Sequence, residues 1–261
     1  ADGRIQVAGR RRELREGMAK DPLVDRQVAG WMQRHATEFC QAAQKDRGWI
    51  GARPVSATCL DERLGVTETT LTGSEERIRS SETSLGNWIA DQMFTAFKEC
   101  GADGAFINAG GLRLNQDLAK DSEITMRHLE ELIQYPTTLR IYKLTHARFR
   151  KALENAISEP GAGRWLQVSE QIAFTYRPGD QEGAAPARLV KAVIRPATKP
   201  PIEVTESSTG DIRIVANEYL QKNTTDGFDT ILPPPDETAC AASGSDLKKI
   251  GHKLGSFLQG P

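Results

Sequence analysis

Several things are missing from this chain, and each absence removes a class of function. The four cysteines, Cys40, Cys59, Cys100 and Cys240, lie far apart and form no C-x-x-C pair, so a zinc ribbon or a thioredoxin-like centre is excluded. An even count allows two disulfides in any of three pairings, or free buried thiols. The four histidines, His35, His128, His146 and His252, make no H-x-H, H-x-x-x-H or D-x-H spacing, so the sequence shows no histidine-rich metal centre. No apolar run is long enough to span a bilayer. The net charge is only -1, which gives no electrostatic case for nucleic acid or a membrane surface. The basic run Arg10-Arg11-Arg12 with Arg15 is broken by Glu13 and Glu16 and reads as a solvated edge.

What is present is a succession of helix and strand signals. Asp21-Pro22 is a helix start: Asp caps, and Pro is tolerated at the first helical position, where its missing N–H costs nothing. Val24, Val28, Trp31, Met32, His35, Phe39 and Ala43 then recur at helical spacing, which predicts a long helix to about Gln44. Ile50 to Thr72, with Pro54, reads as extended segments and loop. The polar cluster Ser80 to Ser84 caps a helix carrying Leu85, Ile89, Met93 and Phe97, stopped at Gly101. A short apolar run, Ala105-Phe106-Ile107, follows.

Thr125 and Thr145 are candidate caps for two further helices, one running through Ile133 and one with Phe149, Leu153 and Ile157 on one face. Leu139–Leu144, Trp165–Val168, Ile172–Tyr176, Leu189–Ile194 and Ile212–Ala216 are strand candidates. Helices early and strands late predict an α+β fold, a mixed sheet with packed helices, preceded by a long linker helix. Pro233-Pro234-Pro235 ends the domain, and the tail beyond it has one weak amphipathic stretch, Leu247 to Leu258.

The most informative segment is Asn108-Ala109-Gly110-Gly111-Leu112-Arg113. A strand that ends in Asn, two Gly and Arg brings bare backbone close to something outside the sheet. Asn offers a donor and an acceptor side by side, and Arg a planar fork of donors. Such a set suits a polar ligand with a flat edge and an anionic part; a tight turn between core elements is the plainer reading.

Four more segments accompany it in order: Arg79-Ser80-Ser81-Glu82-Thr83-Ser84-Leu85-Gly86-Asn87, Gln134-Tyr135-Pro136-Thr137, Trp165-Leu166-Gln167-Val168-Ser169, and Asn217-Glu218-Tyr219-Leu220 followed by Asp226-Gly227-Phe228. In this order the motifs resemble the C-terminal domain of the 5′-nucleotidase family, whose members show E-T-N-L-G-N, N-G-G-G-I-R, L-P-F-G, F-L-Q-V-S, and N-x-x-L with G-G-D-G-F. The resemblance covers roughly residues 20 to 232.

The resemblance implies an arrangement of domains. Residues 1–20 would be the remnant of a metallophosphoesterase domain that holds two divalent metal ions. Residues 21–46 would be the linker helix, 47–235 the substrate-binding domain and 236–261 a tail. The D-x-H, G-N-H-E and G-H-x-H metal motifs of the first domain occur nowhere in this chain, so by resemblance it holds no cofactor and is inactive by itself, its partners being the N-terminal catalytic domain and a nucleoside or nucleotide. A periplasmic or extracellular location is implied in the same way. The alternative is a non-catalytic nucleotide-sensing or partner-binding module.

By resemblance, Asn108 hydrogen-bonds the base edge, Arg113 and Arg79 contact the ribose and phosphate region, Tyr135 and Tyr219 sandwich the base, and Asp226 accepts from the ribose hydroxyls. Each residue also has a plainer reading: core tyrosines, an Arg79 ion pair with Glu75 or Glu76, and a turn at Asp226-Gly227. Trp165 is read as core. The chain departs from the family pattern in three places. Tyr replaces Phe at position 135, Pro136-Thr137 replaces a Gly, and Asn223-Thr224-Thr225 stands where Gly-Gly is usual.

Overall fold

A computed structural model describes residues 17–45, 59–135, 138–180, 185–196 and 200–236. The expected N-terminal remnant up to residue 16, the segment from 46 to 58 and the tail beyond 236, with its helix over 247–258, lie outside the described residues, as does the Pro136-Thr137 departure.

The first helix, α1 (Pro22–Lys45), starts where the cap predicts: the Asp21 carboxylate accepts from the Leu23 N–H at 2.8 Å. Its apolar stripe is largely bare. Trp31 and Met32 are 58% and 53% exposed, and Val24 and Val28 are exposed as well, whereas Cys40 is buried and Phe39 packs on the core. The far end of α1 is tied down by a Cys40–Cys59 disulfide. Cys100 is also disulfide-bonded, so the free-thiol reading is excluded for these three.

After α1 come β1 (Arg63–Val66), α2 (Glu75–Ile78), α3 (Ser84–Phe97), β2 (Gly104–Asn108), β3 (Glu123–Thr125), α4 (Met126–Leu132), β4 (Leu139–Thr145), α5 (His146–Ile157), β5 (Leu166–Val168), β6 (Ile172–Arg177), β7 (Arg188–Ile194), β8 (Ile202–Glu203), β9 (Asp211–Asn217) and α6 (Glu218–Lys222). The caps act as the sequence predicts. The Thr83 hydroxyl accepts from Gly86 N–H at the start of α3, and Thr145 from Arg148 N–H at the start of α5. Thr125 and His128 form a reciprocal capping box at α4.

The central sheet has the order β4-β9-β2-β5 and is mixed, as expected: β2 and β9 are parallel, while β4 and β5 run antiparallel to their neighbours. Strand β2 is buried at all five positions, as a strand covered on both faces must be, while β4 alternates buried and more exposed residues along much of its length. Helix α3 packs on β2 and β5, and α5 on β4, β7 and β9. Strands β6-β7-β8 form a second, antiparallel sheet, and β1 pairs with β3. Trp165 is buried, edge-on to Tyr176 with ring centroids 5.7 Å apart, which makes it a core residue.

Topology alone selects one end of the central sheet. Because β2 and β9 are parallel, Asn108 and Asn217 finish side by side. Because β4 is antiparallel to β9, with Leu139 opposite Asn217, the segment entering β4 starts at that same end. The register Asn108 opposite Leu166 brings the loop before β5 there too. In open α/β sheets such carboxyl ends of parallel strands are where ligands bind.

Candidate functional site

The turn after β2 is held by backbone. Ala109 N–H donates to the Trp165 carbonyl at 2.7 Å, Gly110 N–H to the Gly163 carbonyl at 2.9 Å, and Arg113 N–H to the Leu132 carbonyl at 2.8 Å. A Cβ on Gly110 would stand 3.1 Å from the Gly163 Cα, tighter than ordinary packing. The glycine is therefore required by close approach of two backbones. One on Gly111 would stand 3.3 Å from the Asn108 Oδ1.

Asn108 is 3% exposed and so is Asn217. The two amides meet: Asn217 Nδ2 donates to Asn108 Oδ1 at 2.9 Å. The Asn217 oxygen in turn caps α6, accepting from Leu220 N–H at 3.2 Å. This pair floors a cavity of about 360 Å³ whose walls are Gly110, Gly111, Arg113, Tyr135 and Tyr219. The volume falls at the lower end of the range for small-molecule sites, roughly 300–1,000 Å³.

Tyr135 and Tyr219 are 60% and 49% exposed, so the plainer reading of both as core tyrosines is wrong. Tyr135 precedes β4 and Tyr219 follows β9, and the antiparallel pairing of those strands puts both rings at the same rim. The Arg113 guanidinium carbon lies 5.9 Å from the Tyr135 ring centroid, a cation–π spacing.

A charged brace joins the two tyrosine-bearing segments. Glu218 N–H donates to the Thr138 carbonyl at 2.9 Å, while its carboxylate takes Arg140 Nε of β4 at 2.5 Å and Lys222 Nζ at 2.7 Å. Hydrogen bonds from Lys222 and Arg140 hold the Glu218 carboxyl below its ordinary pKa.

Two of the six predicted residues lie off this cavity's lining. Arg79 pairs with Glu75 at 2.6 Å, the plainer of its two readings. Its carbonyl accepts from Gly161 N–H at 2.8 Å, which places it beside the loop that carries Gly163. That segment is pinned by Gln167 of β5, whose buried amide donates to the Ile78 and Ser81 carbonyls, both at 2.7 Å, and accepts from Thr83 N–H at 3.0 Å. Asp226 sits in the loop after α6. Its carbonyl is held by the Asn155 amide at 2.8 Å, and Gly227 beside it has a left-handed φ of 75°. The Gly-Gly of the family pattern is replaced by an Asx turn, in which Asn223 Oδ1 accepts from Thr225 N–H at 2.9 Å.

The sequence motifs assign no role to Asn217, to Gln167 or to the Glu218–Arg140 pair. Asn217 carries a usable signal, a polar residue ending an apolar strand just before a helix. Gln167 and Arg140 carry none outside their strands.

Larger cavities occur among the described residues. One, of about 570 Å³, lies between α1 and α4, with Trp31, Met32, His35, Arg127, Glu130 and Glu131 among its lining. Another, of about 560 Å³, flanks β1, from Arg63 to Glu68, and Asp121. Neither has buried amides aimed into it. Among the described residues no group of three or more His, Cys, Asp and Glu is arranged to hold a metal ion. No described helix is long and apolar enough to cross a membrane.

Residues 63–231 match the 5′-nucleotidase C-terminal domain family. A Bacillus subtilis relative, the trifunctional nucleotide phosphoesterase protein YfkN, is 28% identical over 215 residues, 77% of this chain but 14% of the relative. The 5′-nucleotidase precursor from Thermus thermophilus shares the fold with a TM-score of 0.64 at 24% identity, over 77% of this chain and 38% of that one. The Haemophilus influenzae NAD nucleotidase (NadN) does so with a TM-score of 0.58 at 18% identity, over 92% of this chain and 39% of that one. The chain therefore spans well under half the length of these relatives, and it belongs to the 5′-nucleotidase C-terminal domain family.

Proposed function

We propose that this chain is the substrate-binding part of a phosphoester hydrolase acting on nucleoside 5′-phosphates, and that the strand-end cavity takes the nucleoside. The observation that carries this reading is the meeting of two exposed tyrosines, a buried amide and a guanidinium at one end of the sheet, delivered by three separate segments. A base stacked on tyrosine gains about 1–3 kcal/mol per contact. Two such contacts fall short of the roughly 8 kcal/mol of a micromolar site, so Asn108 and Arg113 supply the rest and fix the base's orientation. Arg79 and Asp226, in segments held by Gln167 and Asn155, are assigned to the phosphate and ribose ends.

Hydrolysis belongs to a catalytic domain preceding α1, to which we assign the two divalent metal ions. The bare apolar stripe of α1 supports a packing partner there, since exposed Val, Trp and Met in one row are unfavourable in water. The Cys40–Cys59 disulfide supports an oxidising compartment, periplasmic or extracellular.

Calorimetric titration of the chain with AMP, adenosine and a pyrimidine nucleotide tests this reading. Weak binding without phosphate release is expected. The absence of heat at millimolar ligand contradicts the cavity assignment, and metal-dependent phosphatase activity from this chain alone contradicts the division of labour.

A further inference from the structure

Asn217 has both halves of its amide engaged, and together they fix the polarity of the site. A backbone N–H can only donate, so the Asn217 atom facing Leu220 N–H is the oxygen. The half facing Asn108 is then the NH₂ group, which can only donate, so the Asn108 atom it meets is the oxygen. The Asn108 NH₂ is thereby turned away from Asn217 and lies near Gly110, where a Cβ would stand 3.4 Å from it, while the oxygen, 3.3 Å from a Cβ on Gly111, is already engaged by Asn217. Gly110 lines the cavity.

We infer that Asn217 is a positioning residue that sets the hydrogen-bonding polarity of the site. Through it the Asn108 amide presents donors rather than an acceptor to the ligand. On the nucleoside reading, from which this follows, the base is held by an acceptor on its edge, an unprotonated ring nitrogen or a carbonyl oxygen. Asn217 also lines the cavity; its part in this inference is to orient Asn108.

The variant Asn217→Asp separates the two jobs of the residue. Its carboxylate still caps α6, because Asp and Asn are equivalent at that position. It cannot donate, so Asn108 turns its own NH₂ toward residue 217 and its oxygen toward the cavity. The experiment measures the affinities of wild type and variant for adenosine, guanosine, cytidine and uridine, with the side-chain amide signals of Asn108 and Asn217 followed by ¹⁵N NMR in the same titrations.

In wild type the Asn108 NH₂ signals move on saturation, and by more than those of Asn217. In Asn217→Asp the tightest nucleoside binds about tenfold more weakly, the order expected for one hydrogen bond, and the Asn108 signals no longer respond. Melting curves confirm the fold. If Asn217→Asp does not fold, Asn217→Gly, which is tolerated at an N-cap and carries no side-chain donor, makes the same comparison. Affinities and Asn108 shifts unchanged in the variant overturn the positioning role. No binding of any of the four nucleosides to wild type overturns the nucleoside reading itself, a result distinguishable from the first.

Discussion

The cleft between α1 and α4 is larger than the cavity at the sheet end, about 570 Å³ against about 360 Å³, yet the smaller one has the construction of a binding site. The cleft's inner wall is a helix whose row of Val24, Val28, Trp31 and Met32 is exposed and which is joined to the body by a disulfide at its far end. The strand-end cavity rests on four strands of the central sheet, and its floor is a pair of amides with defined partners. Volume measures room, whereas recognition needs polar groups whose directions are fixed before the ligand arrives. On the proposed reading, a neighbouring domain packs at the cleft and a small molecule binds in the cavity.

The comparison is broken most forcefully at the disulfide. Replacing Cys40 and Cys59 with Ala removes a cross-link spanning 19 residues, for which chain-entropy arguments give about 3 kcal/mol. The expected outcome is accelerated amide exchange along α1, with nucleotide affinity within about twofold of wild type. A matching loss of affinity would show that the two regions are not separable.

Next in size is Asn108→Ala. It leaves the Asn217 NH₂ buried without an acceptor, at a cost of about 1–3 kcal/mol of stability, and removes the donor offered to the ligand. A lowered denaturation midpoint together with at least a tenfold weaker nucleoside affinity is expected. A variant as stable as wild type would mean that the amide pair does not brace the site.

A smaller effect sits at Glu218. Its carboxyl is held below the ordinary value by Lys222 and then Arg140. A depressed native pKa stabilises the fold above the unfolded value of about 4.3 and loses that contribution as pH falls through the native pKa. Below about pH 4 the brace between β4 and α6 therefore loosens. Glu218→Gln should lose stability at neutral pH and show a smaller drop between pH 7 and pH 3 than wild type, by thermal melts at both. An unchanged drop would place the acid sensitivity elsewhere.

Much of the architecture is legible in the sequence because local signals and tertiary packing agree. Asp21, Thr83, Thr125 and Thr145 cap where they stand, and the apolar runs at β2, β4, β6, β7 and β9 are strands. The site is legible as motifs, and four of its six named residues line one cavity. The other two lie off its lining because a sequence motif records neighbourhood along the chain, not which face of a loop turns inward. Arg79 is drawn to Glu75, one helical turn away, an attraction that competes with any ligand. The sequence marks Asn217 as a helix cap but not as a partner of Asn108, and it does not show what Gln167 bonds, because that work is done on residues distant along the chain: 109 positions separate Asn217 from Asn108, and Gln167 bonds to Ser81 across 86. The stripe of α1 is legible as helical, but periodicity does not say whether the face it marks is covered.

The most direct test sets the two regions against each other. AMP is titrated calorimetrically into wild type, Tyr219→Ala and Trp31→Ala. Tyr219→Ala is predicted to lose about 1–3 kcal/mol of binding, the stacking contribution of one ring, while Trp31→Ala binds as wild type does. Unchanged binding in Tyr219→Ala with weakened binding in Trp31→Ala would contradict the account and move the ligand to the cleft beside α1.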